Sequence, residues 1–419
     1  MQYIKKDMGS YNLHIIPTKK YKTITMKVLF HSPIIKEEIT MRNILSDILL
    51  QSTKKYSSKR EMIIESENLY AVDIYNNTQR WGNYVLTSFI LQGLKDEYTE
   101  EGNFEKAIEF LSEILFNPDV TSNAFQNEKL ELVKNNCEVT MKSIKEDPQG
   151  YANIRLKEAY DKTGPISYRM IGYQEDLERV NNKNLYQYYK KMIENDFVDI
   201  FIVGDVEVEN CISMIKKYFK FRKVKKKKIS YEVKPKITRK KLIAKEQNQT
   251  TQSRLAIACS IGTLKEQEKN YALVLANIIL GGGIDSKLFQ KVREKYSLCY
   301  TIYSTVSKLD NTLVIQAGID RESYEKTTEL ITKILESMKK GSFSVKDIKT
   351  AKEYYASSIK TIEENPMNVI REIQTEAILG INPYEERMKK IEKITKKQII
   401  KVLKKIKIDT VYLLEGDKS

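Results

Sequence analysis

The most informative segment of the chain is Leu280-Gly-Gly-Gly-Ile-Asp-Ser-Lys-Leu-Phe-Gln-Lys-Val-Arg293-Glu-Lys-Tyr-Ser-Leu-Cys-Tyr300. It begins where an apolar run that starts at Leu273 ends in the glycines Gly281, Gly282 and Gly283. Consecutive glycines lose much backbone entropy on folding, so they are tolerated where φ must be positive or where another segment approaches closely. The pattern therefore predicts a turn directly after the apolar run.

A short helix is predicted after this turn. Asp285 or Ser286 can cap its N-terminus, and Leu288, Phe289 and Val292 share one face at about 3.6 residues per turn. A phosphate-binding role for the glycines is disfavoured because Ser286 stands where a dinucleotide-binding fingerprint has its third glycine, and no Gly-Lys-Ser/Thr follows.

Arg293 closes the predicted helix, and the β-branched and aromatic residues from Ser297 onward predict a strand that Tyr300 opens. An arginine and a tyrosine thus flank one helix-to-strand junction. Without further information, an exposed cation at a helix C-terminus and an ordinary strand aromatic would explain this pair.

The length of 419 residues exceeds the roughly 250–300 at which one hydrophobic core stops growing, so two domains are expected. The basic segment 216–240, which contains the run Lys225-Lys-Lys-Lys228, predicts a linker between an N-terminal half, 1–215, and a C-terminal half, 241–419. The net charge of +15 favours a solvated surface over a nucleic-acid site, because no known nucleic-acid-binding motif accompanies the lysines.

The four cysteines, Cys137, Cys211, Cys259 and Cys299, are dispersed without a C-x-x-C pair. This spacing favours reduced, buried thiols over disulfides or a cysteine metal site. No apolar run approaches the ~18 residues that would span a membrane, and the N-terminus shows no secretory signal. A cytoplasmic protein is expected.

The order of motifs recurs along the chain. Ile48-Leu-Leu-Gln and Leu69-Tyr70 lie 230 residues before Ile278-Ile-Leu-Gly and Cys299-Tyr300. Asp147-Pro148 likewise matches Asn365-Pro366, and further matches join Glu178–Leu185 to Glu392–Ile399 and Val203-Gly-Asp to Glu415-Gly-Asp. The repeat predicts an internal duplication into two homologous halves.

Each half proceeds from strands to helices and back to a strand. This order predicts an α+β fold in which helices pack on one face of a mainly antiparallel sheet. The first strands, from Tyr11 to Phe30, are predicted to form a hairpin around Pro17-Thr-Lys-Lys20.

These features resemble the insulinase/pitrilysin family of zinc peptidases, whose members carry glycines, a Ser-Arg/Lys-Leu-Phe helix and an Arg…Tyr pair at the spacing found from Gly281 to Tyr300. The resemblance covers nearly the whole chain and implies two homologous halves that form a clam-shell. It also implies that Arg293 and Tyr300 bind the substrate backbone and stabilise its tetrahedral intermediate beside a zinc ion.

The zinc motif of that family is missing. Active members carry H-x-x-E-H on the first helix of the N-terminal half, where two histidines bind zinc and the glutamate activates water. Alignment on Ser52-Thr53 places Asn43, Ser46 and Asp47 at these three positions. No metal site and no catalytic residue are therefore expected in this chain.

Other candidate ligands are weak. His14 and His31 are the two histidines of the chain, lie 17 residues apart in the strand region and have no acidic neighbour at ligand spacing, so ordinary core or surface positions are expected. Glu128 and Glu131 lie near the region of the third ligand, but a helix surface is expected for both.

A retained Arg293 and Tyr300 beside a lost zinc motif favour a non-catalytic subunit that works with an active, zinc-bearing H-x-x-E-H relative on a peptide or unfolded protein. No membrane or nucleic-acid partner is expected. The start of the chain, Ile16-Pro-Thr-Lys-Lys-Tyr-Lys-Thr, is similar to bacterial non-peptidase homologues linked to modification of elongation factor P. Relatives in bacteriocin maturation pair an inactive with an active subunit in the same way, and both alternatives stay open.

Two further hypotheses remain. The chain could be a stand-alone peptide-binding module that uses strand addition at a sheet edge. It could also bind nucleic acid through its basic surface, which a steep salt dependence would reveal.

Overall fold

The computed structural model describes residues 2–222, 229–236, 241–248 and 250–416, so the run Lys225–Lys228 lies outside the described residues. The chain forms two compact units, and each contains segments from both halves of the sequence. Unit 1 comprises Met1–Lys142, Arg169–Ser230 and Glu363–Gln374, and unit 2 comprises Ser143–Tyr168, Tyr231–Ile362 and Thr375–Ser419.

The strands and helices are as follows. The strands are β1 (Ile4–Asp7), β2 (Asn12–Pro17), β3 (Thr23–Pro33), β4 (Asp73–Trp81), β5 (Tyr84–Leu94), β6 (Val120–Thr121), β7 (Ala124–Phe125), β8 (Phe197–Gly204), β9 (Leu242–Gln247), β10 (Ser253–Ile261), β11 (Thr301–Ser307), β12 (Thr312–Ile319) and β13 (Ile406–Glu415). The α-helices are α1 (Ile39–Ile48), α2 (Lys59–Asn68), α3 (Asn103–Phe116), α4 (Asn127–Ser143), α5 (Pro148–Tyr160), α6 (Gln174–Leu177), α7 (Asn182–Asn195), α8 (Val208–Tyr218), α9 (Leu273–Gly281), α10 (Tyr324–Lys339), α11 (Val345–Lys360), α12 (Pro366–Leu379), α13 (Tyr384–Glu392) and α14 (Lys396–Leu403). None of the helices in the described residues is both long and apolar enough to cross a membrane.

Unit 1 is built on a sheet with the strand order β1-β2-β8-β3-β5-β4. All pairs are antiparallel except the parallel pair of β2 and β8. Its core lies on the face that carries Met26, Val28 and Phe30 of β3, against apolar residues of α1, α3, α4, α7 and α8. This arrangement confirms the predicted α+β class.

The predicted opening hairpin is wrong. β2 and β3 are both strands, but β8 lies between them, so that Asp199 is opposite Asn12 on one side and opposite Leu29 on the other. β8 is almost entirely buried. An apolar strand that is covered on both faces takes a central position in a sheet. The alternation of apolar and polar residues in β2 and β3 predicted that both are strands, but it did not predict which strands they pair with.

Unit 2 is built on a sheet with the order β11-β12-β10-β13-β9, in which the pair of β13 and β9 is parallel and the others are antiparallel. One face carries the main core, with residues from α9, α10, α11 and α14. Helix α5 packs on the other face, where Ala152 and Leu156 contact the apolar side chains of β10 and β13. Helices therefore cover both faces of this sheet, whereas the sequence predicted helices on one face only.

Polar contacts also fix α5. Glu246 of β9 accepts hydrogen bonds from the hydroxyl of Tyr151 at 2.6 Å, from Nε of Arg155 at 2.8 Å and from the hydroxyl of Tyr412 at 2.9 Å. One carboxylate thus joins α5 to two neighbouring strands. A helix encoded in the first half of the sequence completes the fold of unit 2.

The predicted linker 216–240 is anchored at both ends. Its first residues finish α8, and Phe219 and Phe221 are buried in the core of unit 1. Tyr231 is buried as well, and the amide of Val233 donates to the carbonyl of Leu309 in unit 2 at 2.8 Å. The division into halves at 1–215 and 241–419 stays a prediction, as does the internal duplication.

The residues paired by the repeat occupy similar local positions. Pro148 and Pro366 each begin a helix, where the missing proline N–H costs nothing. Asn181 and Thr395 each form a capping box at the start of α7 and α14.

We expect Leu156→Ala to lower the free energy of unfolding of unit 2 by about 2–5 kcal/mol, because Leu156 is fully buried between α5 and the sheet. Hydrogen exchange of the β10 and β13 amides is the measurement. The matched control is Leu132→Ala on α4, where the side chain is half exposed and the cost should stay within about 0.5 kcal/mol. Equal effects of the two substitutions would show that α5 does not stabilise this sheet.

Candidate functional site

The glycine-rich loop is required by close packing. A Cβ atom at Gly281 would lie 2.6 Å from Oγ and 2.8 Å from the amide nitrogen of Ser304 in β11. Gly282 has a φ of −86°, which other residues adopt freely. The sequence analysis offered a positive φ or the close approach of another segment as reasons for the glycines. At Gly281 the reason is close approach, since the end of α9 lies directly against β11.

The predicted helix after the loop is present. Ser286, rather than Asp285, caps it, since the amide of Phe289 donates to Oγ of Ser286 at 3.4 Å. Leu288 and Val292 are buried as predicted, whereas Phe289, predicted on the same buried face, is only half-buried. The helix widens into a π-helical segment over Phe289–Lys295. Such a segment often occurs at functional positions in helices.

Arg293 lies on the outer surface of this helix. Its guanidinium carbon is 4.7 Å from the ring centroid of Phe289, and its Nε is 3.7 Å from the carboxylate of Glu294. These contacts are at the surface and hold the side chain weakly. The guanidinium group therefore remains accessible to a ligand.

Tyr300 immediately precedes β11, which begins at Thr301, one residue later than predicted. The amide of Tyr300 donates to the carbonyl of Gly318 at 2.9 Å, and its side chain is 59% exposed. The backbone is thus fixed while the phenol faces solvent. Tyr300 is therefore not a core aromatic, and its hydroxyl is accessible to a ligand.

Tyr300 lines a cavity of about 1090 Å³ in unit 2, and Arg293 does not. The other lining residues come from β9, from β10 and the residues before it, from the segment between β12 and α10, from the start of α10 and from the end of β13; they are Lys245, Thr251, Gln252, Ser253, Arg254, Asp320, Arg321, Glu322, Tyr324, Glu325 and Glu415. The sequence analysis missed Arg254, although its position on a strand otherwise made of small and apolar residues was an available signal.

Asn43, Ser46 and Asp47, which the sequence analysis predicts to occupy the zinc-motif positions, make structural hydrogen bonds. Nδ2 of Asn43 donates to the carbonyl of Met170 at 2.6 Å, and the hydroxyl of Ser46 donates to the carbonyl of Asn43 at 2.9 Å. Oδ1 of Asp47 accepts from Nδ2 of Asn76 at 2.8 Å. Burial raises the pKa of Asp47, although the hydrogen bond from Asn76 opposes this effect. These side chains support the fold of α1.

A buried ion pair also fixes α1, and the sequence analysis missed it. Nη2 of Arg42 donates to Oδ2 of Asp196 at 2.7 Å, and Nε donates to the hydroxyl of Tyr188 at 3.0 Å. Both charged side chains are buried. A buried pair of this kind specifies the position of a helix more than it adds net stability.

In the described part of the chain, no group of three His, Cys, Asp or Glu side chains is arranged to hold a metal ion. Glu128 and Glu131 are exposed on α4, which confirms their predicted surface position. The four cysteines are buried and unpaired, as predicted.

The histidines form a cluster that the sequence analysis missed. Nε2 of His14 lies 3.0 Å from Oδ1 of Asp199, and Nε2 of His31 lies 2.9 Å from Oδ2 of the same carboxylate. The hydroxyl of Tyr3 is 2.7 Å from Nδ1 of His14. Strand pairing brings together residues that are far apart in the sequence, so spacing could not reveal the cluster.

Asp199 is almost fully buried at the centre of this cluster, with 2% of its surface exposed. Burial alone would raise the pKa of Asp199, but the hydrogen bonds with His14 and His31 outweigh burial and hold the pKa well below its usual range. The ionised carboxylate is thus the form that the fold stabilises.

We expect Asp199→Asn to lower the free energy of unfolding by about 3–5 kcal/mol at neutral pH, because it removes the charged partner of two buried side chains. The control is Asp205→Asn, which breaks the partly exposed pair with Lys95 at 3.0 Å and should cost about 1 kcal/mol or less. Urea unfolding is the measurement.

The pH dependence of the stability difference between the wild type and Asp199→Asn follows from the direction of the pKa shift of Asp199. Because the pKa of Asp199 is lower in the folded than in the unfolded chain, its contribution is complete above a pH of about 4 and is lost as the pH falls further. The stability difference between the wild type and Asp199→Asn should therefore shrink in acid. A difference that is constant from pH 7 to pH 3 would contradict this assignment.

We expect the triple substitution Asn43→His, Ser46→Glu and Asp47→His to create neither a zinc site nor proteolysis. It removes the hydrogen bonds with Met170 and Asn76, at a cost of about 1–3 kcal/mol each, and it supplies no third ligand. Metal analysis and a peptide-cleavage assay test this, with Asn43→Ala as the control for lost hydrogen bonding. One zinc per chain with chelator-sensitive cleavage would refute it.

Comparison with known proteins agrees with the resemblance found in the sequence. Residues 179–355 match the family described as the peptidase M16 inactive domain. A protein of Bacillus subtilis (strain 168) named probable inactive metalloprotease YmfF is 27% identical over 424 residues, which cover 99% of this chain and 98% of that protein. The non-peptidase homolog YmxG of Helicobacter pylori is 21% identical over 369 residues, which cover 87% of this chain and 81% of that protein.

Solved structures show the same fold. The crystal structure of a conserved protein from Enterococcus faecalis V583 superposes with a TM-score of 0.91 at 26% identity and full coverage of both chains. The peptidase M16 inactive domain from Pseudomonas fluorescens superposes with a TM-score of 0.82 at 16% identity, covering 100% of this chain and 99% of that one. Over nearly its whole length the chain is thus similar to proteins that are named as inactive or non-peptidase relatives of metalloproteases, and residues 179–355 match the inactive domain of the M16 peptidases.

Proposed function

We propose that this chain is the non-catalytic subunit of a two-chain M16 zinc peptidase. It binds a peptide or unfolded protein and contributes Arg293 and Tyr300 to an active partner that carries H-x-x-E-H and zinc. The observation that carries the proposal is the exposure of Arg293 and Tyr300 on either side of one helix-to-strand junction, while Asn43, Ser46 and Asp47 are engaged in structural hydrogen bonds.

The chemistry of the two exposed groups suits this role. A guanidinium group and a phenol are hydrogen-bond donors, and a peptidase needs donors where negative charge develops on the scissile carbonyl oxygen. The backbone of Tyr300 is fixed through Gly318, and Arg293 lies on a helix whose buried face is anchored by Leu288 and Val292. Donors on rigid elements can be preorganised for a transition state, whereas donors on mobile loops cannot.

The names of related proteins support the absence of catalysis by the chain alone. The relative in Bacillus subtilis is named as probably inactive, and the relative in Helicobacter pylori is named as a non-peptidase. A cytoplasmic location is part of the proposal and agrees with four unpaired cysteines.

A pull-down from native extract with metal analysis of the captured complex tests the proposal. We expect a complex of one copy of this chain with one H-x-x-E-H relative, with zinc in the complex and none in the isolated chain. Capture of peptides without such a relative would instead support the second candidate, a stand-alone peptide-binding module. The specific observation that favours that candidate is the cavity of about 1090 Å³ in unit 2 that Tyr300 lines.

In the reconstituted complex, we expect Arg293→Ala or Tyr300→Phe to lower kcat by about 10²–10³-fold, because an oxyanion donor acts on charge that appears in the transition state. Zinc content and complex formation, measured by metal analysis and gel filtration, should be unchanged. The matched controls are the neighbouring exposed residues, with Lys295→Ala and Tyr296→Phe, which should change the rate about twofold or less. Wild-type turnover in both test variants would rule out the shared site.

A further inference from the structure

A lysine is buried in unit 1 without an ionic partner. Lys27 of β3 lies on the sheet face opposite the one that carries Met26 and Val28, because side chains alternate along a strand. It is only 5% exposed, and the residues directly opposite it on the neighbouring strands, Ile90 and Phe201, are both buried. The amine of Lys27 therefore has apolar neighbours within the sheet.

The amine has one hydrogen-bond acceptor. Nζ of Lys27 donates to Oε1 of Gln374 on α12 at 2.7 Å. In the part of the chain that the structure describes, no carboxylate lies within ion-pair distance of Nζ. An isolated buried charge is costly, and burial, together with the nearby cation Arg371, lowers the pKa of Lys27 to about 8. About half of the amine is therefore uncharged, and hence nucleophilic, at pH 8.

Two buried polar atoms near this lysine have no hydrogen-bond partner in the described residues. One is Nε2 of Gln374, which belongs to the same amide group that Lys27 contacts. The other is Oγ1 of Thr25, two residues from Lys27 on the same face of β3. Gln374 and Thr25 are 1% and 0% exposed, and both atoms can donate hydrogen bonds. An additional acceptor at this place would therefore be stabilised.

We infer that Lys27 is a site of carbamylation by carbon dioxide. The uncharged amine attacks the carbon atom of CO2 and forms a C–N bond, while the electrons of one C–O π bond move to the oxygen. The amine releases one proton to water, and the product is a carbamate anion on Nζ. No oxidant, reductant or further reactant is needed. CO2 is small and uncharged, so it can reach a buried amine through local openings of the fold.

The amide group of Gln374 is complementary to the product. A carbamate presents an N–H and an anionic oxygen side by side. The N–H keeps the hydrogen bond to Oε1 of Gln374, and the oxygen accepts from Nε2, so that both polar atoms of one carboxamide are satisfied. Oγ1 of Thr25 is available as a donor to the second oxygen.

The charge near Lys27 also favours the product. Arg371 lies one turn before Gln374 on α12, and its positive charge repels a lysine cation but attracts an anion at the same place. Hydrogen bonds to a charged group are stronger than those between neutral groups. The carbamate would thus strengthen the contact of β3 with α12 inside unit 1, and this inference is independent of the peptidase role proposed above.

The test exposes the full-length chain at pH 8 to carbon-13 bicarbonate, which is in equilibrium with CO2. We expect a carbamate resonance in the carbon-13 NMR spectrum. Trapping with triethyloxonium ion, which alkylates carbamates, and tandem mass spectrometry should then locate the adduct on Lys27 of the wild type. No adduct on Lys27 would overturn the inference. A signal from bound bicarbonate without a trapped adduct would show a non-covalent anion and would overturn it as well.

Protein variants test the surroundings of the amine. Gln374→Glu places a carboxylate beside Nζ, which holds Lys27 as a cation, so the adduct on Lys27 should be lost. The control is Lys59→Met, because Lys59 is an exposed lysine of the same unit whose Nζ donates to the carbonyl of Leu50 at 2.9 Å. This variant should keep the adduct. Wild-type modification in Gln374→Glu, or loss in Lys59→Met, contradicts the assignment.

A third variant and a stability measurement complete the test. Thr25→Val should weaken the apparent affinity for CO2 about tenfold or more, since it removes one donor to a charged group. At constant pH and ionic strength, bicarbonate should raise the Tm of the wild type but not that of Gln374→Glu, because the modification occurs in the folded chain. An equal rise in both proteins would show a general salt effect and would contradict stabilisation by the carbamate.

Discussion

The close approach of α9 to β11 at Gly281 is the constraint on which the candidate site depends. With 2.6 Å between a would-be Cβ atom and Oγ of Ser304, any other residue would push the helix off the strand. The loop after Gly281 then leads into the helix capped by Ser286, and that helix returns the chain to β11. Arg293 and Tyr300 are held at this return. Their placement therefore follows from one backbone contact that glycine alone permits.

In unit 1, buried contacts with neighbouring elements fix helix α1. Helix α1 keeps its buried apolar face and is fixed by the pair of Arg42 and Asp196. Asn43 and Asp47, at positions predicted to correspond to zinc ligands of active peptidases, make hydrogen bonds with Met170 and Asn76. These hydrogen bonds join α1 to neighbouring segments of unit 1.

The polar groups buried in the unit 1 sheet have a similar structural role. His14, His31 and Asp199 come from three neighbouring strands and satisfy one another at about 3 Å. Because a buried carboxylate is costly unless it is paired, such a cluster favours one strand order over alternatives in which its members separate. It thereby supports the central position of β8 between β2 and β3, which local sequence patterns did not indicate.

The periodicity of apolar residues was sufficient to predict the α+β class, most helices and strands and the capped helix before Arg293. These features depend on residues that are close together in the sequence, where spacing translates directly into a face, a cap or a motif. Strand order, the packing of α5 on the unit 2 sheet, the cluster around Asp199 and the burial of Lys27 beside Gln374 depend on contacts between distant residues. A single sequence specifies each strand but carries no local signal for its neighbour, so these features were decided by tertiary packing and by the need to pair buried polar groups.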